Sequence, residues 1–150
     1  KELGFGRGSL GKLKNGGTSA AVLSELVKRL IEHLGQWCIE KVILSKQPDF
    51  IEKNQIILDA DKVGNIVLRY WKAGDRFSPR GINGSKKLAR VMRDLHISAG
   101  ERRIWPLVAD ENHIYWIAFL RGSNYGLPDK NTKKYLLITL KKENREDEES

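Results

Sequence analysis

Residues 74–98 read GDRFSPRGINGSKKLARVMRDLHIS, and this stretch decides the fold class. It opens on a turn, passes Gly74, Gly81 and Gly84, and then turns into an apolar stripe, Leu88, Val91, Met92 and Leu95, at helical spacing. With the stripe facing inward, Lys86, Lys87, Arg90 and Arg93 spread over the flanks and outer face of one helix. Gly84 and Ser85 come just before it, which leaves its first N–H groups pointing outward beside two lysines, a seat suited to phosphate. Glycine at 81 and 84 also allows a ligand to approach the backbone closely. A solvated charged face is the bland alternative.

The flanking sequence supplies strands. WCIEKVILSK (37–46), QIILDAD (55–61), NIVLRYW (65–71) and YLLITL (135–140) each read as one, and NIVLRYW alternates residue by residue. PLVAD and IYWIAFL, joined by the turn DENH, read as a hairpin over 106–120. Ser98 and Glu101 have capping-box spacing for a short helical turn, closed by Pro106. Thr18 or Ser19 caps an amphipathic helix whose apolar face runs from Val22 to Leu34. The expected class is therefore α+β: a small mixed or antiparallel sheet of about five to six strands, a basic helix after the GDRF loop and an N-terminal amphipathic helix. The expected divisions are a flexible Gly/Lys-rich lead-in at 1–17, a helix plus strand at 18–54, a main domain at 55–142 and an acidic tail at 143–150. At 150 residues the chain can bury roughly 70 % of its unfolded surface.

Charge narrows the function. The net charge is +8, and the tail sets five acids against Arg145, so the rest of the chain carries about +12. Between residues 72 and 103 lie Lys72, Arg76, Arg80, Lys86, Lys87, Arg90, Arg93, Arg102 and Arg103, opposed only by Asp75, Asp94 and Glu101. A body this basic suits a polyanion, nucleic acid before an acidic membrane surface. A single cysteine, Cys38, excludes an internal disulfide and fits a cytoplasmic setting. No apolar run is long enough to span a membrane. The only methionine is Met92, so the chain is expected to be part of something longer.

Other signals are weaker. Gly6, Gly8 and Gly11 fit G-x-G-x-x-G, and Gly6, Gly11 and Lys12 approach a P-loop, but Leu13 stands where Ser or Thr must reach magnesium, and only five residues precede Gly6. Asp59 and Asp61 are read as a capped turn rather than a metal site. His33, Cys38, His96 and His113 lack zinc-ligand spacing. Asp75 is read as part of a turn or ion pair. No catalytic set emerges.

Taken together, Gly74-Asp75-Arg76-Phe77, Pro79, Gly81, Gly84, Lys86-Lys87-Leu88, Glu101-Arg102 and Trp105-Pro106-Leu107 resemble the C-terminal domain of tRNA(Ile)-lysidine synthetases. LDADKV (58–63) and the run from His113 to Ile138 resemble the flanks of that domain, so the likeness covers about residues 55–140. Where relatives often continue KKL with Phe-Phe and end in Ile-Pro, this chain has Ala89-Arg90-Val91-Met92 and Ile97-Ser98. Residues 1–54 belong either to a linking helical subdomain or to this protein alone. The resemblance implies a non-catalytic, tRNA-binding part of an ATP-dependent ligase that joins lysine to the wobble cytidine of the isoleucine tRNA. The catalytic N-terminal domain, with its SGGxDS motif and its ATP, would be a further partner, and this chain has neither that motif nor a cofactor site of its own. The tRNA would be held toward the acceptor arm, with Arg76, Arg80, Lys86, Lys87, Arg90 and Arg93 as phosphate contacts. The competing expectation is a protein–protein or dimerisation module docking through helix 19–34.

Overall fold

Strand β9 (Tyr135–Lys142) organises one end of the protein. In the computed structural model, which describes residues 37–142, β9 is flanked on both sides by antiparallel partners, β1 (Trp37–Leu44) and β2 (Gln55–Asp59). Leu136, Ile138 and Leu140 alternate along β9 and are buried, as period-two side chains on one face must be. Ile56 and Leu58 of β2 stand opposite Ile138 and Leu136 on that face.

A second antiparallel sheet packs against it, with strand order β3, β6, β7, β8, formed by Val67–Arg69, Leu107–Ala109, Ile114–Ile117 and Arg121–Gly122. Every residue of β6 and β7 is buried, because this sheet is covered on both faces. On one face Val108, Tyr115 and Trp116 join Ile56, Leu58 and Ile138. On the other, Leu107, Ala109, Ile114 and Ile117 meet Phe77, Leu88, Met92 and Trp105. The continuous apolar run in the sequence is the signature of a strand buried on both sides. A bulge lets Tyr115 and Trp116, though consecutive, serve the same core: Val108 pairs with Trp116 but Ala109 pairs with Ile114.

The third sheet is a two-stranded ribbon, β4 (Arg76–Phe77) with β5 (Lys86–Lys87), leading directly into helix α1 (Leu88–Asp94). Leu88, Val91 and Met92 bury the stripe read from the sequence, with Leu95 partly buried at its end. The helix stops in a Schellman motif: His96 takes a left-handed φ of 67°, its N–H donates to Arg93 O, and the N–H of buried Ile97 donates to Met92 O at 2.8 Å. Beyond it, Ser98 and Glu101 make the expected cap, the Ser98 N–H and hydroxyl donating to Glu101 Oε1 at 2.9 and 2.7 Å, before a 3₁₀ turn over Glu101–Ile104.

Two expectations change. The strands divide into three small antiparallel sheets rather than one of five or six, because the double-sided burial of β6 and β7 demands a separate sheet beneath them. Lys86 and Lys87 belong to a strand, not to the helix, since they pair with Phe77 and Arg76 across the Gly-rich loop. The N-terminal helix at 19–34, the lead-in and the acidic tail lie outside the described residues.

Candidate nucleic-acid interface

The site grows from the turn at Lys72–Asp75. Gly74 takes a φ of +93°, which favours glycine. Asp75, nearly buried, receives both ends of the Arg69 guanidinium at 2.9 and 3.1 Å and the Lys72 N–H at 2.9 Å. It is a structural ion pair, with Arg69 rather than its neighbour Arg76 as partner. The Asp75 carbonyl accepts the Leu88 N–H at 2.8 Å, which ties the turn to the start of α1. The helix-end phosphate seat expected from the sequence is therefore altered: α1 starts at Leu88, directly after the lysines, and its first N–H already has a partner.

What takes its place is a ribbon of cations. Arg76 stands directly opposite Lys87 on β4–β5, and both are exposed. Like charges facing each other across a ladder destabilise it. Arg76 relieves none of this with a carboxylate: its Nε donates to Ser85 Oγ at 2.9 Å and its Nη2 to Ser85 O at 3.0 Å. Lys86, Arg90 and Arg93 are exposed too, and among the described residues none of these side chains has an ion-pair partner. Arg80 is likewise exposed, so all six residues predicted to meet phosphate reach solvent on the ribbon, its loop and α1. Arg102 is committed otherwise, lying 5.1 Å over the Trp71 ring.

The loop between the two strands is held from a distance. The Arg80 N–H donates to Gly122 O at 3.0 Å and the Asn124 N–H to Ser78 O at 2.9 Å, so residues 78–80 run antiparallel beside β8. The Asn124 side chain closes the turn: its Nδ2 donates to Pro79 O and Ile82 O at 2.9 and 2.8 Å, and its Oδ1 accepts from the Gly81 N–H at 2.9 Å. In the sequence Asn124 lies in the polar, basic stretch RGSNYGLPDKNTKK (121–134), and nothing local beyond the nearby glycines, Gly122 and Gly126, marks it as the residue that closes this turn.

The opposite side of the hairpin carries acids with structural duties. Asp110 accepts from the N–H groups of Gly64, Asn112 and His113, each at 2.8 Å, and from the Tyr115 hydroxyl at 2.6 Å. Burial by itself raises this carboxyl, but the hydrogen bonds from Tyr115 and the three amides outweigh it and bring the group down to about 2. The Tyr115 phenol moves up, through burial and then through Asp110. Asp59 Oδ1 accepts from the Asp61 N–H at 2.9 Å and its Oδ2 from Thr132 Oγ1 at 2.7 Å, the capped turn expected for it. His113 stacks on Tyr125, ring centroids 3.8 Å apart. A cleft of about 290 Å³ lies between Arg69, Lys72 and Arg76 on one side and Asp110–Ile114 on the other. Among the described residues no group of three His, Cys, Asp or Glu side chains could hold a metal, and no helix is long and apolar enough to cross a membrane.

Small antiparallel sheets with one helix form a class of domain fold known from solved structures. The fold matches a structure described as the TilS C-terminal domain, with a TM-score of 0.61 and 24 % identity over 72 % of this chain and 85 % of that one. Residues 66–138 match the family model of the TilS substrate C-terminal domain, and this part of the chain belongs to that family. Among curated relatives, the tRNA(Ile)-lysidine synthase of Caldanaerobacter subterraneus subsp. tengcongensis is 40 % identical over 115 residues, which is 75 % of this chain and 25 % of the relative. The tRNA(Ile)-lysidine synthase of Clostridium acetobutylicum is 40 % identical over 92 residues, 61 % of this chain and 20 % of the relative. The chain thus spans a quarter or less of the length of these relatives.

Proposed function

We propose that this chain is the tRNA-holding part of a tRNA(Ile)-lysidine synthase, and that its cation-rich ribbon and helix contact RNA phosphates. The observation that carries the reading is the facing pair Arg76 and Lys87, both exposed and without a carboxylate partner among the described residues. A like-charge pair of this kind loses its repulsion when a polyanion binds, and counterion release then drives association. Lys86, Arg90, Arg93 and Arg80 extend the same positive surface. Double-stranded RNA is recognised through phosphates and 2′-hydroxyls rather than through its narrow major groove, which suits a rigid ribbon of arginines and lysines. The substrate tRNA would be the isoleucine tRNA, held toward its acceptor arm. ATP-dependent attachment of lysine to the wobble cytidine would belong to a separate catalytic domain of the same protein, in the cytoplasm.

The test is Lys86→Ala/Lys87→Ala. Both side chains are exposed, so thermal unfolding stays at the wild-type midpoint or rises slightly as the repulsion between Arg76 and Lys87 is removed. Affinity for isoleucine tRNA falls on the order of tenfold at low salt, and the dependence of binding on salt flattens. A folded double variant that binds tRNA as tightly as wild type removes this surface from the interface.

A further inference from the structure

Among the described residues several cations are matched by an acid: Arg69 by Asp75, Lys62 by Asp129 and Lys141 by Glu40. Arg80 and Arg121 are held differently. They come from segments 41 residues apart, brought side by side by the pairing of residues 78–80 with β8. Arg121 Nη2 donates to Arg80 O at 2.9 Å, and Arg80 Nε donates to Ser123 O at 3.3 Å. The two guanidiniums are thus positioned by backbone carbonyls, and among the described residues neither meets a carboxylate. Partial burial and then the charge of Arg121 lower the Arg80 pKa below its ordinary value.

The position is built. A Cβ on Gly122 would lie 2.7 Å from Arg80 Nη2, so glycine makes the room that the guanidinium occupies. Asn124 pins the turn that carries Arg80 through three hydrogen bonds, and Gly81 supplies the φ of +84° that the turn needs. Each guanidinium has five N–H donors and commits one to the protein, which leaves the rest of both forks available. Guanidinium forks match phosphate oxygens in geometry as well as in charge.

We infer that Arg80 and Arg121 form a two-arginine seat for one phosphate group of the RNA backbone, fixed by Asn124 and Gly122 and distinct from the Arg76/Lys87 ribbon. This rests on the reading of the chain as an RNA-holding domain. It adds Arg121, the first residue of β8, and makes the two arginines one unit rather than separate contacts.

The experiment measures binding of the full chain to isoleucine tRNA between about 50 and 200 mM salt, for wild type, Arg80→Ala, Arg121→Ala, the double variant and Lys86→Ala/Lys87→Ala. Arg121→Lys, which keeps charge but not the fork, stands in if Arg121→Ala fails to fold. Each alanine variant should lower the slope of log affinity against log salt by about 0.9, the value for one phosphate on duplex DNA. The double variant should lose no more than the larger single loss, since one phosphate is shared. Additive losses from the two arginines would overturn the single seat. A folded Arg80→Ala/Arg121→Ala chain with wild-type affinity and slope, while Lys86→Ala/Lys87→Ala weakens binding, overturns the seat and leaves the proposed function standing. Wild-type binding by every variant overturns both. A parallel titration replaces chloride with inorganic phosphate at matched ionic strength. Equal displacement of tRNA is expected for a seat that takes the phosphodiester of the polymer. Extra displacement that disappears in Arg121→Ala would reassign the seat to free phosphate.

Discussion

The two ends of the 106–120 hairpin use charge in opposite ways. At the Asp110 turn, a buried acid collects four donors from three segments of chain, and its charge is consumed within the fold. At the β8 end, Arg121 and its neighbour Arg80 bond only to carbonyl oxygens, and their charge is left for something else. Asp59 repeats the first pattern, with its oxygens on Asp61 N–H and Thr132 hydroxyl. Arg76 repeats the second, bonded to Ser85 and facing Lys87. In this domain the buried acids organise loops, while Arg76, Arg80 and Arg121 are held by hydroxyl and carbonyl oxygens without being neutralised. Net charge alone conveys none of this, because it counts both kinds equally.

The comparison breaks most severely if the apolar support beneath the cations is removed. Leu88 is fully buried at the first position of α1, against the core that also holds Phe77, Met92 and Trp105. Leu88→Ala should destabilise the fold by about 2–5 kcal/mol through lost burial and a residual cavity, measured by urea denaturation. Retention of full stability would mean that α1 and its cations are not anchored by this core.

Next in size is Asp110. Its folded pKa is depressed from 3.8 to about 2, so the stability it contributes is present above the unfolded value and is lost as pH falls from about 4 to 2. Discounted for solvent near the turn, that contribution is about 1–2 kcal/mol. Asp110→Asn should lower stability at neutral pH and flatten the loss between about pH 4 and 2, measured by denaturation at a series of pH values. An acid profile identical to wild type would show that this turn does not depend on the carboxylate. Salt-dependent tRNA binding by Asp110→Asn should match wild type as long as the chain is folded, since the Asp110 oxygens are taken up by Gly64, Asn112, His113 and Tyr115 and bond to none of the proposed phosphate contacts.

The sequence made local features legible and left non-local ones hidden. The stripe Leu88, Val91, Met92 and Leu95, the Ser98–Glu101 cap and the hairpin at 106–120 each depend on residues within a few positions of one another, and each was readable. The strand character of Lys86 and Lys87 was not, because it is imposed by Arg76 and Phe77 across a Gly-rich loop that propensity does not foresee. The bulge at Tyr115 was hidden for a related reason: strict alternation would send Tyr115 and Trp116 to opposite faces, but the register shift puts both in the core with Ile56, Leu58 and Ile138, where the tyrosine hydroxyl donates to Asp110. All six candidate phosphate contacts were visible as a charge cluster, but Arg121 was lost among the cations of residues 121–134. Only the pairing of Pro79 with Ser123 singles it out.

The smallest effect tests the comparison from its weak side. Lys62 makes a 2.8 Å ion pair with Asp129, both side chains largely in solvent, and also donates to Leu127 O at 2.8 Å. The contact with Asp129 raises the lysine pKa, and the contact with Lys62 lowers that of Asp129. These directions agree, yet water screens an exposed pair, and holding two long side chains in one geometry opposes the attraction. Lys62→Ala should therefore leave the denaturation midpoint unchanged within error and leave tRNA binding unaffected, because this lysine's charge is already matched by an acid. A measurable loss of binding would show that a cation paired within the fold can serve the RNA as well. The division between matched and unmatched cations would then fail as a guide to the interface. Unchanged binding, set against weakened binding by Lys86→Ala/Lys87→Ala, would make the absence of a carboxylate partner, rather than exposure alone, the property that marks a phosphate contact in this domain.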